Sequence, residues 1–164
     1  MTINKTRKKV AIVMGSQSDY LVMKKCEEIL KTLKIKYETK IISAHRTPER
    51  MFEFAKTSAK NNFAVIVAGA GGSAHLPGMI ASISALPVLG VPVETKKLKG
   101  LDSLLSIVQM PKGIPVGTVA IGENGAFNAG LLAASIIALS ENKIKKNLEK
   151  WRRLQTAAIK KKPK

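Results

Sequence analysis

The chain has 164 residues, 45% of them hydrophobic, which is the length and apolar content of one ordinary domain. Its longest apolar runs fall short of the roughly 20 residues that a membrane-spanning helix needs, so we expect no membrane span. A single cysteine, Cys26, excludes an internal disulfide, fits a reducing cytoplasm and is interpreted as a small core residue.

The net charge of +17 does not by itself indicate a nucleic-acid-binding protein. Half of the 28 basic residues lie in the terminal segments 1–9 and 143–164, and the body between them is nearly balanced. Lysines outnumber arginines by 23 to 5, whereas phosphate and base-edge recognition favours the arginine fork, and aromatic residues for stacking are only 4%. We therefore expect no specific nucleic-acid binding, although a basic nucleic-acid-binding module remains an alternative.

The first half of the chain repeats a strand, a turn and a helix. Strands are predicted at residues 9–14, 37–42 and 63–68. The first helix, residues 19–33, has Asp19 as its cap and an apolar face of Leu21, Cys26, Ile29, Leu30 and Leu33. The second helix is predicted to begin at Pro48 and the third near Leu76 or Pro77.

The second half is less regular. A strand at 87–91 precedes a stretch broken by glycines and prolines between Gly100 and Pro115, and a further strand is predicted at 116–121. Helices follow at 126–139 and 142–160. The last one carries a stripe of Ile144, Leu148, Trp151 and Leu154 that is too apolar to face water, so we expect this helix to be an assembly element that docks on a partner surface.

Strands alternating with helices predict a three-layer αβα sandwich around a parallel sheet, in one catalytic domain spanning 1–164. Residues 1–8 are assigned to a basic extension and 142–164 to a basic helix and tail. Because right-handed crossovers bring every strand-to-helix loop to one edge of the sheet, ligands should bind at that edge.

The first of these loops predicts an anion site. It contains Gly15, Ser16, Ser18 and Asp19 before a helix, whose backbone amides and dipole favour phosphate. The serine hydroxyls add donors, and the carboxylate can accept hydrogen bonds from ribose hydroxyls. Simple capping of the helix by Ser18 or Asp19 is the alternative interpretation.

The second loop predicts proton transfer beside a bound phosphate. Ser43, His45 and Arg46 follow a strand and precede a helix. A histidine can donate and accept a proton near neutrality, and the adjacent arginine can clamp a phosphate. We therefore favour catalysis by His45 over a purely structural loop histidine.

The third loop, residues 69–78, is rich in glycine. Gly69, Gly71 and Ala74 match a dinucleotide-binding fingerprint, with Glu94 twenty positions beyond Ala74, but the match follows the third strand and leaves no second domain for a substrate. We interpret the loop as a wall whose backbone amides can lie against a small anion. His75 is interpreted as structural or as shaping that wall.

These motifs resemble those of the 5-(carboxyamino)imidazole ribonucleotide mutase family. They read Gly-Ser-Gln-Ser-Asp, Ser-Ala-His-Arg-Thr-Pro and Gly-Ala-Gly-Gly-Ser-Ala-His-Leu-Pro-Gly, in that order, and the resemblance covers roughly residues 10–155. It implies a flavodoxin-like fold, a homo-octamer whose sites are completed by neighbouring subunits, and neither metal nor organic cofactor. The implied activity is an isomerase of de novo purine biosynthesis.

The resemblance also implies residue roles. Ser16, Ser18, Ser43 and Arg46 would hold the substrate phosphate and nearby polar groups, and Asp19 the ribose hydroxyls. Ala70 and Gly71 would hold the migrating carboxylate, and His45 would be the general acid and base. A nucleotide- or flavin-binding domain of the doubly wound class is the remaining alternative.

Overall fold

The computed structural model describes residues 8–162, which form a five-stranded parallel sheet flanked by helices. The strands are β1 (Lys9–Met14), β2 (Tyr37–Ile41), β3 (Phe63–Gly71), β4 (Val88–Val93) and β5 (Gly117–Thr118). The helices are α1 (Tyr20–Thr32), α2 (Pro48–Thr57), α3 (Leu76–Ala81), α4 (Leu101–Val108), α5 (Gly122–Ala138) and α6 (Asn142–Ala158). The sheet order, β2-β1-β3-β4-β5, is that of flavodoxin-like folds, so the predicted fold class is confirmed.

The central strands are buried on both faces because helices cover each side of the sheet. Alternate side chains of β1 divide between two cores: Ile12 packs with α1, α5 and α6, whereas Val13 packs with α2, α3 and α4. Near-continuous apolar strands such as β1 and β4 are what a parallel sheet covered on both faces requires.

Several predicted bounds need correction. β3 continues to Gly71 because its glycines pair with β4 up to Val93, whereas β5 is reduced to two residues. The stretch predicted as irregular contains helix α4, and α5 begins at Gly122. Leu21, placed on the buried face of α1 from its spacing, is 65% exposed, so that assignment was wrong.

Cys26 is confirmed as a core residue of α1. It is fully buried, and burial raises the pKa of its thiol far above the ordinary range, so the reactive thiolate does not form near neutrality. The predicted extension at 1–8 lies outside the described residues except for Lys8. Within residues 8–162, no helix has both the length and the apolar content to cross a membrane.

The apolar stripe of α6 docks on the chain itself. Ile144 and Leu148 are buried in the core with α1 and α5, and Trp151 is half-buried against Phe127. The stripe docks for these residues, but on its own chain, so the prediction of a partner surface is wrong for them; Leu154 is 60% exposed. A partner surface is therefore not needed to bury the first half of the helix.

Candidate functional site

The three loops predicted to bind ligands converge on one cavity at the carboxyl edge of the sheet. Its volume is about 320 Å³. All eight side chains or backbone segments predicted for the site line it: Ser16, Ser18, Asp19, Ser43, His45, Arg46, Ala70 and Gly71. The topology brings them together because β1, β2 and β3 are parallel neighbours whose carboxyl ends lie side by side.

The first loop is folded around the carboxylate of Asp19. A 3-10 turn, Gln17–Asp19, precedes α1, and the Ser16 backbone N–H donates to Asp19 Oδ2 over 3.1 Å. The Asp19 carboxylate therefore caps this turn. Asp19 is also the N-cap residue of α1, as predicted, but its side chain makes no capping hydrogen bond to that helix. The hydroxyls of Ser16 and Ser18 lie 2.5 Å apart, so one donates to the other and both stay at the cavity wall.

Asp19 is a buried charge beside an open cavity. It is 9% exposed, and this burial raises the pKa of its carboxyl, while hydrogen bonds from Ser16 and Ser18 act in the opposite direction. A carboxylate held with little solvation is ready to accept hydrogen bonds from a ligand hydroxyl. This arrangement fits the predicted contact with ribose.

The second loop fixes Arg46 across the mouth of the cavity. The hydroxyl of Ser43, which is buried, accepts from the Arg46 backbone N–H over 3.1 Å. Arg46 Nη2 donates to the Gly15 carbonyl over 2.8 Å, which ties the second loop to the first. Arg46 Nε also donates to Ser43 Oγ over 3.4 Å. The residue is exposed at the cavity, where its planar fork can bind an oxyanion.

The two histidines of the chain form a pair. His45 Nε2 lies 2.9 Å from His75 Nδ1, and the rings meet edge to face with centroids 5.0 Å apart. One nitrogen must donate and the other accept, so the tautomer of one ring sets that of its neighbour. The sequence analysis gave the two histidines separate roles and did not predict this contact, since they lie 30 positions apart.

The glycine wall, defined as residues 69–73, supplies backbone to the cavity. Gly69 lies inside β3, and a Cβ there would approach Met23 Sδ to 2.3 Å, so this glycine permits close packing on α1. Only Gly72 has a positive φ, +70°. Gly69 and Gly71 are strand residues here, which is not the strand-to-helix turn that a dinucleotide fingerprint requires.

Two cavity residues come from a strand end that the sequence interpretation overlooked. Glu94 and Thr95 follow β4 directly and line the cavity with the three loops. The strand was predicted to end at residue 91, two positions early, so Glu94 was considered only for its spacing from Ala74. The apolar run that continues through Pro92 and Val93 was the feature from which the longer strand could have been predicted.

Comparison with known proteins gives a consistent result over nearly the whole chain. The AIR carboxylase family matches residues 9–158. The N5-carboxyaminoimidazole ribonucleotide mutase of Brucella melitensis is 54% identical over 154 residues, which are 94% of this chain and 95% of that protein. The mutase of Escherichia coli K12 is 53% identical over 151 residues, 92% of this chain and 89% of its own length.

A longer relative and a solved structure extend the comparison. The bifunctional purine synthesis protein purC/E of Dictyostelium discoideum is 56% identical over 150 residues; the match spans 92% of this chain and only 15% of that protein. Among solved structures, PurE of Treponema denticola superposes with a TM-score of 0.83 at 29% identity. That superposition covers 92% of this chain and 93% of the Treponema chain.

Proposed function

The chain belongs to the AIR carboxylase family, and from that premise we propose that it converts 5-carboxyaminoimidazole ribonucleotide to 4-carboxy-5-aminoimidazole ribonucleotide with His45 as general acid and base. It is an isomerase of purine biosynthesis, the activity named for relatives that match it along nearly their full length. The observation that supports the catalytic proposal is that His45, the first loop with Ser16 and Ser18, and the glycine wall all line one cavity.

The reaction divides into two half-reactions that one histidine can serve. In the first, the N–C bond of the carbamate breaks and a protonated His45 delivers its proton to the departing nitrogen, which leaves carbon dioxide. In the second, the electron-rich ring carbon attacks this carbon dioxide, and the now neutral His45 removes the proton from that carbon. The imidazole returns to its starting state, so no proton is gained or lost overall.

The other residues bind and confine. Ser16, Ser18, Ser43 and Arg46 hold the phosphate and nearby polar groups, Asp19 accepts from the ribose hydroxyls, and Ala70 with Gly71 hold the migrating carboxylate. Confinement is necessary because carbon dioxide is small and uncharged and must stay beside the ring between the two steps. His75, through its hydrogen bond, orients the imidazole of His45.

The alternative of a nucleotide- or flavin-binding domain is less well supported. Its sequence signal was the spacing of Gly69, Gly71 and Ala74, and the first two of these lie within β3. A bound flavin or nucleotide would be seen as cofactor absorbance in the purified protein. The basic-module alternative would give salt-dependent gel shifts without turnover.

Asp19→Asn should weaken ribonucleotide binding without destabilising the fold. The amide keeps an acceptor for the Ser16 N–H but removes a charge that burial disfavours, so we expect the variant to be no less stable than wild type. Because burial raises the folded pKa, the wild-type penalty is present above that pKa and disappears as pH falls toward the unfolded value near 3.8. Ribonucleotide affinity should fall by about 1–3 kcal/mol.

Chemical denaturation across pH and calorimetric titration with the ribonucleotide measure both effects. An unchanged dissociation constant would remove Asp19 from the binding site. A marked loss of stability at neutral pH would show instead that its charge supports the fold.

We further propose that the chain assembles as a homo-octamer, in the cytoplasm, with sites completed across subunits. Support comes from an unpaired apolar face on and before α4, where the side chains are about half exposed: Leu98, Leu101, Leu105 and Val108. Their spacing of three and four residues places them on one side of the helix. His45 and Arg46 are also exposed, which leaves room for a neighbouring subunit at the cavity.

Leu101→Asp combined with Leu105→Asp should reduce the size of the particle and lower turnover, because charges replace the apolar contact between copies. Leu154→Asp, an exposed leucine among the lysines of α6, is the matched control and should keep both properties. Sedimentation and turnover are measured on the same samples. An unchanged particle in the α4 variant would contradict this interface.

The activity itself is tested by incubating the purified chain with the carbamate substrate and following the carbon-carboxylated product. Product should form without ATP, biotin or added metal, at a rate proportional to protein concentration. Absence of product with a folded, ribonucleotide-binding protein would refute the assigned reaction.

A further inference from the structure

We propose that Ser103 and Ser106 of α4 are positioning residues that clamp the glycine wall and so keep carbon dioxide in the cavity. Neither serine lines the cavity. They act through Gly72, the one residue of the wall with a positive φ. The inference rests on the proposed function, in which Ala70 and Gly71 hold the migrating carboxylate.

The Gly72 N–H is held by Ser103, and the Gly72 carbonyl accepts from Ser106 as well as from the Ala74 backbone N–H, 2.8 Å away. The Gly72 N–H donates to Ser103 Oγ over 2.9 Å, and Ser103 Oγ in turn donates to the Val93 carbonyl over 2.7 Å. Ser106 Oγ lies 3.2 Å from the Gly72 carbonyl and 2.7 Å from the Asp102 carbonyl, both of which can accept its proton. The wall is thus tied to the end of β4 and to α4.

The burial of Ser103 makes its part of the clamp specific. The residue is completely buried, so removing its hydroxyl would leave the Gly72 N–H and the Val93 carbonyl without this partner in a site that water does not reach readily. At the protein surface, water would replace the hydrogen bonds of a removed serine hydroxyl at little cost in free energy. Ser103 therefore bridges Gly72 and Val93 with two hydrogen bonds that are not needed to cap α4.

The same turn of α4 holds a second side of the cavity. Thr95, a lining residue, donates its hydroxyl to the Asp102 carboxylate, whose two oxygens lie 2.9 and 3.0 Å away. One short helix outside the cavity therefore fixes both the glycine wall and the residue that follows β4. Movement of α4 would open the cavity at the side where the proposed carboxylate lies.

Retention of carbon dioxide depends on this rigidity more than ribonucleotide binding does. Carbon dioxide carries no charge for Arg46 or the serines to hold, so only the shape of the cavity delays its escape. The ribonucleotide, in contrast, is held by its phosphate and ribose. Loosening the wall should therefore divert the reaction to free aminoimidazole ribonucleotide, in which the N–C bond has broken and no C–C bond has formed.

The test compares Ser103→Ala and Ser106→Ala with wild type in three measurements: carbon-carboxylated product, free aminoimidazole ribonucleotide above the enzyme-free blank, and the dissociation constant of the ribonucleotide. We expect kcat for the mutase reaction to fall about 10- to 100-fold in Ser103→Ala. The share of substrate lost as the decarboxylated ribonucleotide should rise, while the dissociation constant stays within about threefold of wild type. Ser106→Ala should show the same pattern more weakly, and it carries the test if Ser103→Ala fails to fold.

Two matched controls remove equivalent hydroxyls elsewhere. Ser58 is fully buried and donates to the Phe54 carbonyl, and Ser135 donates to the Leu131 carbonyl four residues earlier, as Ser106 does to Asp102. Ser58→Ala and Ser135→Ala should leave the partition of products unchanged. A similar diversion in these controls would mean that the effect is general destabilisation, and the clamp would be refuted.

Gly72→Ala distinguishes failure of the clamp from failure of the proposed function. At φ +70° an alanine is strained, yet its Cβ meets no atom within 4 Å, so the substitution disturbs the wall without a clash. Diversion in Gly72→Ala with normal partition in both serine variants would overturn the clamp and leave the wall's role intact. Normal partition in all three would overturn both.

Discussion

His45→Asn is expected to leave a folded protein that binds the ribonucleotide with near wild-type affinity but has lost turnover in both directions. The loss should be about 10²- to 10⁴-fold, the usual contribution of a positioned proton donor and acceptor. Asparagine can still make a hydrogen bond to His75 but cannot carry a proton between nitrogen and carbon. Initial rates from each substrate, together with a ribonucleotide titration, measure the two properties separately.

His75→Asn is the control, because it removes the other imidazole of the pair. If His75 only orients His45, this variant should keep measurable turnover with an altered pH profile. Activity of His45→Asn within about tenfold of wild type would exclude His45 as the proton carrier. A full loss in His75→Asn with wild-type binding would transfer that role to His75.

Deletion of residues 142–164 is expected to destabilise the fold by several kcal/mol. It removes the buried side chains of Ile144 and Leu148, each of which contributes about 1.5–3 kcal/mol, and it uncovers the core formed by α1 and α5. The hydrogen bond from Asn147 Nδ2 to the Leu33 carbonyl, 2.9 Å long, is lost as well. Because domains are stable by about 5–15 kcal/mol, the shortened chain should be largely unfolded or aggregated.

A shorter deletion, residues 155–164, separates packing from charge. It removes several of the terminal lysines but keeps Ile144, Leu148 and Trp151, so the denaturation midpoint and turnover should stay close to wild type. Denaturant titration and sedimentation of both deletions are compared. A folded 1–141 chain that merely forms a smaller particle would make α6 an assembly element and contradict the packing described above.

The strand-and-helix order was predictable because apolar runs and helical spacing dominate most of this chain. β1 and the start of α2 at Pro48 agree with the sequence prediction. α4 was missed since it is short and flanked by glycine and proline, and its apolar side chains point both inward and outward, as Ile107 and Leu105 do. Alternating strand and helix patterns in a sequence predict the fold class more readily than they predict a short helix such as α4.

The site residues that lie within the three individual loops were predictable from the sequence. Parallel topology alone places the three loops at one edge, and the residues chosen there line one cavity. The contacts that join distant segments were not predictable from spacing: the His45 and His75 pair, and the bond from Gly72 to Ser103 across 31 positions. These depend on how α3 and α4 pack on the sheet.

We propose that one carboxylate moves from nitrogen to carbon within a single cavity, with His45 carrying the proton. This claim is tested most directly by giving the purified chain a substrate with an isotope-labelled carbamate carboxylate, in unlabelled bicarbonate buffer, without ATP or biotin. We expect the product to retain most of the label at its ring carboxylate, because the carbon dioxide does not leave the cavity. Product that forms at the same rate but carries carboxylate from the buffer would contradict the claim.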